Sequence, residues 1–313
     1  MKDYYTNIFD AMKYNEKLYE VPIKVGLNMM LGNQAVVGGE KIDDSKWTWG
    51  DFTTMSRKLM KDQNHVYPLN RIEPDELMTM LLNSSFSRFI DAGGKKAKFD
   101  SQEFISLLKS AKSMYDDNII PPQKVDANST IFQNKGGIRT YMDMVTMPQM
   151  FYDGKAEYYN LPSENDVRGT SFTPGIPLAI NSKSTNKKEA WEFVKFLLSG
   201  EMQSTMELGG IAVNKNGAKA QLDFLKTLGQ GQDGSVKKMK ILVDGKEFSP
   251  KAAEEKGIAR IEKIVNGIKN YAESEPKITK IVTEESMPFF QGNRSVEETA
   301  KVIQNKVSTY LQE

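Results

Sequence analysis

Apolar residues recur along this chain at two spacings, a helical one of three and four and a shorter alternating one, and the two take turns from end to end. Near the start, Tyr5, Ile8, Phe9 and Met12 share one helical face, after which residues 17–23 alternate in the manner of a strand. Residues 25–31 continue as an apolar stretch, extended or opening another element. Thr48 caps a helix whose inner face is Phe52, Met55 and Leu59. Residues 76–90 are apolar on most sides, as in a buried helix, and Gly93 and Gly94 end the segment. A capping box around Ser101 opens a third helical pattern, with Phe104, Leu107, Leu108, Ala111, Met114 and Tyr115 on one face. Residues 131–137 predict a short helix and a turn, 138–144 a strand, and 158–162 another strand.

The stretch 172–206 is the clearest unit in the chain. A Thr173-Pro174-Gly175 turn and an apolar strand over 176–180 lead through a polar break to Asn186, a good N-cap, with Glu189 placed to reach back to it. Ala190, Trp191, Val194, Leu197 and Leu198 then recur at helical spacing, which predicts that this face, Trp191 included, packs into a core. Further on, residues 218–228 predict a helix and 236–248 one or two short strands or a connection. Ile258, Ile261, Val265 and Ile268 share one helical face, and a last helix starts at the Ser295/Glu298 capping box and buries Ala300, Ile303, Val307 and Leu311. Strands alternating with helices argue an α/β fold. No internal repeat is evident.

At 313 residues the chain is long enough for two domains. The 42 basic side chains nearly balance the 41 acidic ones, so no broad basic field exists to hold nucleic acid or an anionic membrane. The absence of cysteine removes disulfides, thiol catalysis and cysteine metal sites. No uninterrupted apolar run is long enough to span a bilayer. The start reads as polar and aromatic, without an apolar signal region, a cleavage site or a lipidation cysteine.

Motifs of catalysis are thin. Gly229, Gly231 and Gly234 match a dinucleotide-binding spacing, but a helical segment precedes them and lysine-rich polar chain follows, the reverse of the required context, so they read as a loop. His65 is the sole histidine, which excludes a two-histidine zinc site, and no nucleophile-elbow pattern accompanies it. Carboxylate pairs such as Glu284-Glu285 and Asp116-Asp117 keep open a glycan hydrolase with paired carboxylates across a cleft. Met142, Met144, Met147 and Met150, beside Tyr141, Phe151 and Tyr152, favour core packing over an adaptable binding surface. Trp47 and Trp49 could stack on sugar rings, though packing is favoured for at least one of them.

Six segments, in order, carry a resemblance to the carbohydrate-type extracellular solute-binding proteins of ABC importers. Residues 17–23 (KLYEVPI) resemble the family's strand leading out of its first lobe, with Glu16 where the family often has glycine. Residues 47–52 (WTWGDF) and 99–104 (FDSQEF) are similar to two of its helix starts. Residues 132–136 resemble its F-x-x-GKAAM element, although Gly137, Ile138 and Arg139 depart from the small residues found there. Residues 175–198 resemble its GG-x-x-LAI-N strand and KEAWEFIKFL helix, and residues 291–298 its closing SG-x-x-S-x-EEA.

The resemblance implies a two-lobe, periplasmic-binding-protein-like α/β fold of type II with lobe one incomplete. Residues 1–24 would be a remnant of lobe one, 25–172 lobe two, 173–232 the return into lobe one, and 233–313 the closing helices of lobe two. It implies no catalysis and no cofactor or metal. The ligand would be a sugar or oligosaccharide held between the lobes, in a truncated form with impaired binding. The partners would be ABC permease subunits, the protein a monomer, and the location extracytoplasmic, with the signal segment absent from this chain. Carried over position by position, ligand contacts would be Glu73 and Asp75 before the lobe-two helix, Tyr141, Asp143 and Thr146 after the GKAAM element, and Phe172 and Gly175 at the hinge strand. Gly26 stands where some members place a polar contact. The competing classes are the paired-carboxylate hydrolase and an interaction module whose exposed lobe-one edge recruits another chain.

Overall fold

The computed structural model describes residues 2–61, 66–91, 93–134, 137–166, 169–206, 208–229, 240–243 and 246–313. His65, Gly231 and Gly234 lie outside the described residues. By contact the chain divides into two units. The first comprises Met1–Met29, Lys135–Glu157 and Gly169–Tyr271, and the second Met30–Asn134, Tyr158–Arg168 and Ala272–Glu313. The expected lobes divide the chain elsewhere, at 24/25, 172/173 and 232/233.

The first unit is built on the strand Val21–Asn33, thirteen residues long. Its apolar positions at Ile23, Val25 and Leu27 are buried while Lys24, Gly26 and Asn28 are only half-buried, the period-two signature of a sheet with one covered face. The strand Thr170–Leu178 runs antiparallel beside it, with Leu27 opposite Phe172 and Lys24 opposite Gly175. The strand Ile268–Tyr271 adds in parallel on the far side of Thr170–Leu178. In the same unit the helices Thr6–Ala11, Lys215–Lys226 and Glu255–Asn266 bury Ile8, Phe9, Leu222, Leu225, Ile258, Ile261 and Val265, and Thr6–Ala11 packs on the strand Ile268–Tyr271.

Several expectations fail in this unit: the turn expected at Thr173-Pro174-Gly175 lies within the strand Thr170–Leu178. Ile268 belongs to the strand Ile268–Tyr271 and not to the preceding helical face, because the helix stops at Asn266. Of the strand expected over 138–144, Ile138 alone is bridged, to Leu27; the chain then enters the helix Tyr141–Tyr152. Thr140 Oγ1 accepts from Asp143 N at 3.1 Å and Asp143 Oδ2 from Thr140 N at 2.9 Å, a capping box that outweighs the local alternation. The helix Lys187–Leu197 buries only Val194, with Leu198 buried at its C-cap, while Trp191 is 45% exposed, Phe193 59% and Phe196 51%. At 100° per residue its apolar arc exceeds half the circumference, and the elements present reach one edge of it. Asn186 makes no side-chain cap there.

The second unit is mainly helical. The helix Trp49–Lys61 is capped as expected by Thr48, whose Oγ1 accepts from Asp51 N at 3.1 Å. Pro74–Ser84, Gln102–Asp116, Pro276–Phe290 and Val296–Gln312 surround one core with it. Both Trp47 and Trp49 pack in that core; Trp49 Nε1 donates to Ser84 Oγ at 2.9 Å and Trp47 Nε1 to Asn160 O at 3.0 Å. The short helix expected over 131–137 is instead the strand Phe132–Gln133, paired with Gly32 and Leu31.

Candidate functional site

In the first unit, the rung of the sheet at Leu27 has Phe172 on one side and Ile138 on the other. Cross-strand partners point to the same face, and these three side chains point inward and are buried. The alternate positions therefore form the open face: Lys24, Gly26 and Asn28 on the central strand, Ser171, Thr173 and Gly175 opposite them, and Arg139 across from Gly26 by the antiparallel register. Thr173 and Arg139 are exposed.

This face is polar and in places prearranged. Asn28 Nδ2 donates to Thr173 Oγ1 at 3.1 Å, leaving the amide oxygen and the threonine hydroxyl for a further partner. Ser171 Oγ is buried with no hydrogen-bond partner among the described residues. Lys24 lies along the sheet: its stem is so close over Gly175 and Gly210 that a Cβ would meet Lys24 carbons at 2.7 Å and 2.5 Å respectively. Its ammonium donates to Leu208 O at 2.7 Å. Gly26 leaves a gap in the row between Arg139 and Thr173, where adjacent strands put their Cα atoms about 10 Å apart, roughly the span of a hexose with its hydroxyls.

Of the seven expected contacts, five lie in this unit. Gly175 is on the open face, beneath Lys24. Phe172 is fully buried behind it, its ring 5.8 Å from that of Tyr271. Tyr141 is buried at the start of its helix, and that burial pushes its hydroxyl well above the usual tyrosine range. Asp143 accepts the backbone N–H groups of Arg139 and Thr140, both at 2.9 Å, and Thr146 Oγ1 donates to Met142 O at 2.9 Å. Glu73 and Asp75 lie in the second unit, both exposed at the start of the helix Pro74–Ser84, and Glu73 receives two bonds from Arg71, at 2.9 and 2.7 Å.

Sequence reasoning passed over Lys24, Asn28, Thr173 and Arg139. The signal was the polar half of the period-two pattern: Lys24 and Asn28 alternate with the apolar residues that mark the strand. Among the described residues no cluster of three histidine, cysteine or acidic side chains could hold a metal ion. No described helix is long and apolar enough to cross a membrane.

A family model described as bacterial extracellular solute-binding protein matches residues 1–204. Among solved structures, the chain is similar to the cyclic α-maltosyl-1,6-maltose binding protein of Arthrobacter globiformis, at 12% identity and a TM-score of 0.63, covering 99% of this chain and 76% of that one. The sugar-binding protein of Xanthomonas citri is similar at 13% identity and a TM-score of 0.61, with 99% and 75% covered. An ABC substrate-binding protein of Listeria monocytogenes, solved with cycloalternan, is similar at 14% identity and a TM-score of 0.59, with 99% and 76% covered. At these identities the likeness shows the fold, the α/β fold of periplasmic solute-binding proteins.

Proposed function

The chain belongs to the bacterial extracellular solute-binding protein family, and we propose that within it this protein captures a sugar or oligosaccharide outside the cytoplasm and delivers it to the permease subunits of an ABC importer. The family match carries the reading, and the sugar ligands named for the similar structures support it. The open face of the first unit suits the chemistry: sugar hydroxyls both donate and accept, and Asn28 and Thr173 offer amide and hydroxyl partners on the sheet. Gly26 lets a ring approach the backbone, while Phe172, Tyr141, Asp143 and Thr146 hold the strand and helix start behind it, and Gly175 makes room for the Lys24 stem. Membership of a binding-protein family sets aside the paired-carboxylate hydrolase.

Calorimetry against a panel of di- to hexasaccharides tests the reading. Saturable heat with at least one of them, weakened about tenfold by Thr173→Val or Asn28→Ala, is expected, since each removes a hydrogen bond of about 1–1.5 kcal/mol. Release of reducing ends from any of the sugars would sink it.

A further inference from the structure

Arg139 differs from the other described arginines. Arg57 pairs with Asp117, Arg71 with Glu73, Arg88 with Glu103 and Asp166, Arg260 with Glu157, and Arg294 with Glu285. The guanidinium of Arg139 has no carboxylate partner, although the Asp143 carboxylate is near enough to accept the Arg139 backbone N–H at 2.9 Å. The capping box explains this: Asp143 is turned toward the helix N-terminus, where Thr140 N also binds it. The arginine fork is left to solvent on the open face, across the Gly26 gap from Thr173.

A second cation stands on the same face. Lys24 is held by its stem between Gly175 and Gly210, and its ammonium has a carbonyl partner, Leu208 O, and no carboxylate partner among the described residues. Its two remaining N–H donors are unassigned. The same face carries the buried, unpartnered hydroxyl of Ser171 and the Asn28–Thr173 pair. No described carboxylate ion-pairs with either cation, and the Asp143 carboxylate beside Arg139 is taken up by the backbone N–H groups of Arg139 and Thr140. A planar guanidinium fork matches a carboxylate or phosphate through two parallel bonds, and a neutral sugar gives it no such partner.

Resting on the sugar-binding reading, we infer that this protein takes an anionic sugar, one bearing a carboxylate or phosphate, whose charged group is held by Arg139 beside the Gly26 gap while its hydroxyls meet Asn28 and Thr173. Lys24 contributes from the next rung of the sheet. An acidic ligand would also bind less tightly as salt rises, because exposed charges are screened over about 8 Å at physiological ionic strength.

The experiment is calorimetry of the full chain with trigalacturonate, glucose 6-phosphate and maltotriose, repeated with Arg139→Gln and Lys24→Met. Arg139 is exposed, so its replacement leaves the fold intact, which circular dichroism verifies. Binding of either acidic sugar, weakened at least tenfold by Arg139→Gln and further by raised salt, is the expected result. Binding of maltotriose alone, or of an acidic sugar with unchanged affinity in Arg139→Gln, overturns the inference and leaves the sugar-binding reading standing. Failure of all three probes and of the wider neutral panel overturns both.

Discussion

Replacing Gly175 by alanine tests whether Lys24 is locked onto the open face. A Cβ at that position would lie 2.7 Å from Lys24 Cγ and 3.3 Å from Lys24 Cε, inside any ordinary contact. The backbone there is extended and not left-handed, so the cost arises from overpacking alone, about 1–3 kcal/mol. Against it stands the gain of about 0.4–1 kcal/mol from a less flexible unfolded chain. The net expectation is a loss of about 1–2 kcal/mol. Lys24→Ala alone removes the bond to Leu208 O and the stem packing, for a loss of about 1–3 kcal/mol. Because that truncation also removes both crowding carbons, the double variant should be no less stable than Lys24→Ala, a coupling of about 1–2 kcal/mol between the sites. Urea unfolding followed by circular dichroism measures all four proteins. Simple additivity of the two losses would refute the geometry from which the Lys24 role is drawn.

Other outcomes follow from particular contacts. Phe193→Ser and Phe196→Ser, on the uncovered side of the helix Lys187–Leu197, should change stability by less than about 0.5 kcal/mol, whereas Val194→Ala should cost about 1–3 kcal/mol; equal losses at all three would mean that the exposed arc is covered. Trp49→Phe should cost about 1–3 kcal/mol by vacating volume in a fully buried position and stripping Ser84 Oγ of its indole donor, read as a lower urea midpoint. Glu285 accepts from Lys306 and Arg294, at 2.5 and 3.0 Å, and these bonds hold its carboxyl below the usual glutamate range. A depressed folded pKa stabilises above the unfolded value and is lost as pH falls through the folded one. Glu285→Gln should therefore cost about 1 kcal/mol at pH 7, and the difference from wild type should shrink as pH falls below the usual glutamate range; a difference that stays constant through acid pH would contradict the assignment.

The helices were legible where the sequence carried both a periodic face and a cap, as at Thr48, Ser101 and Ser295. Residues 138–144 alternate locally as a strand would, but the capping box between Thr140 and Asp143 starts the helix Tyr141–Tyr152 there. Ile268 was misassigned because a helical face and the strand that follows it both present isoleucine, and the stop at Asn266 has no strong signal. For Trp191 the pattern told that the helix is apolar over a wide arc, but how much of that arc finds a partner is a matter of tertiary packing. Phe172 and Gly175 came from the family resemblance and not from the local pattern, which put Gly175 in a turn, whereas Arg139 becomes notable only once the pairing of the other described arginines is known, and Asn28 only once one face of its strand is seen to be covered.

Amide hydrogen exchange, run with and without a saturating oligosaccharide, locates the ligand directly. The account predicts slowed exchange in residues 24–28, 137–140 and 171–175 of the first unit. Saturable binding that leaves all three segments unchanged would contradict it.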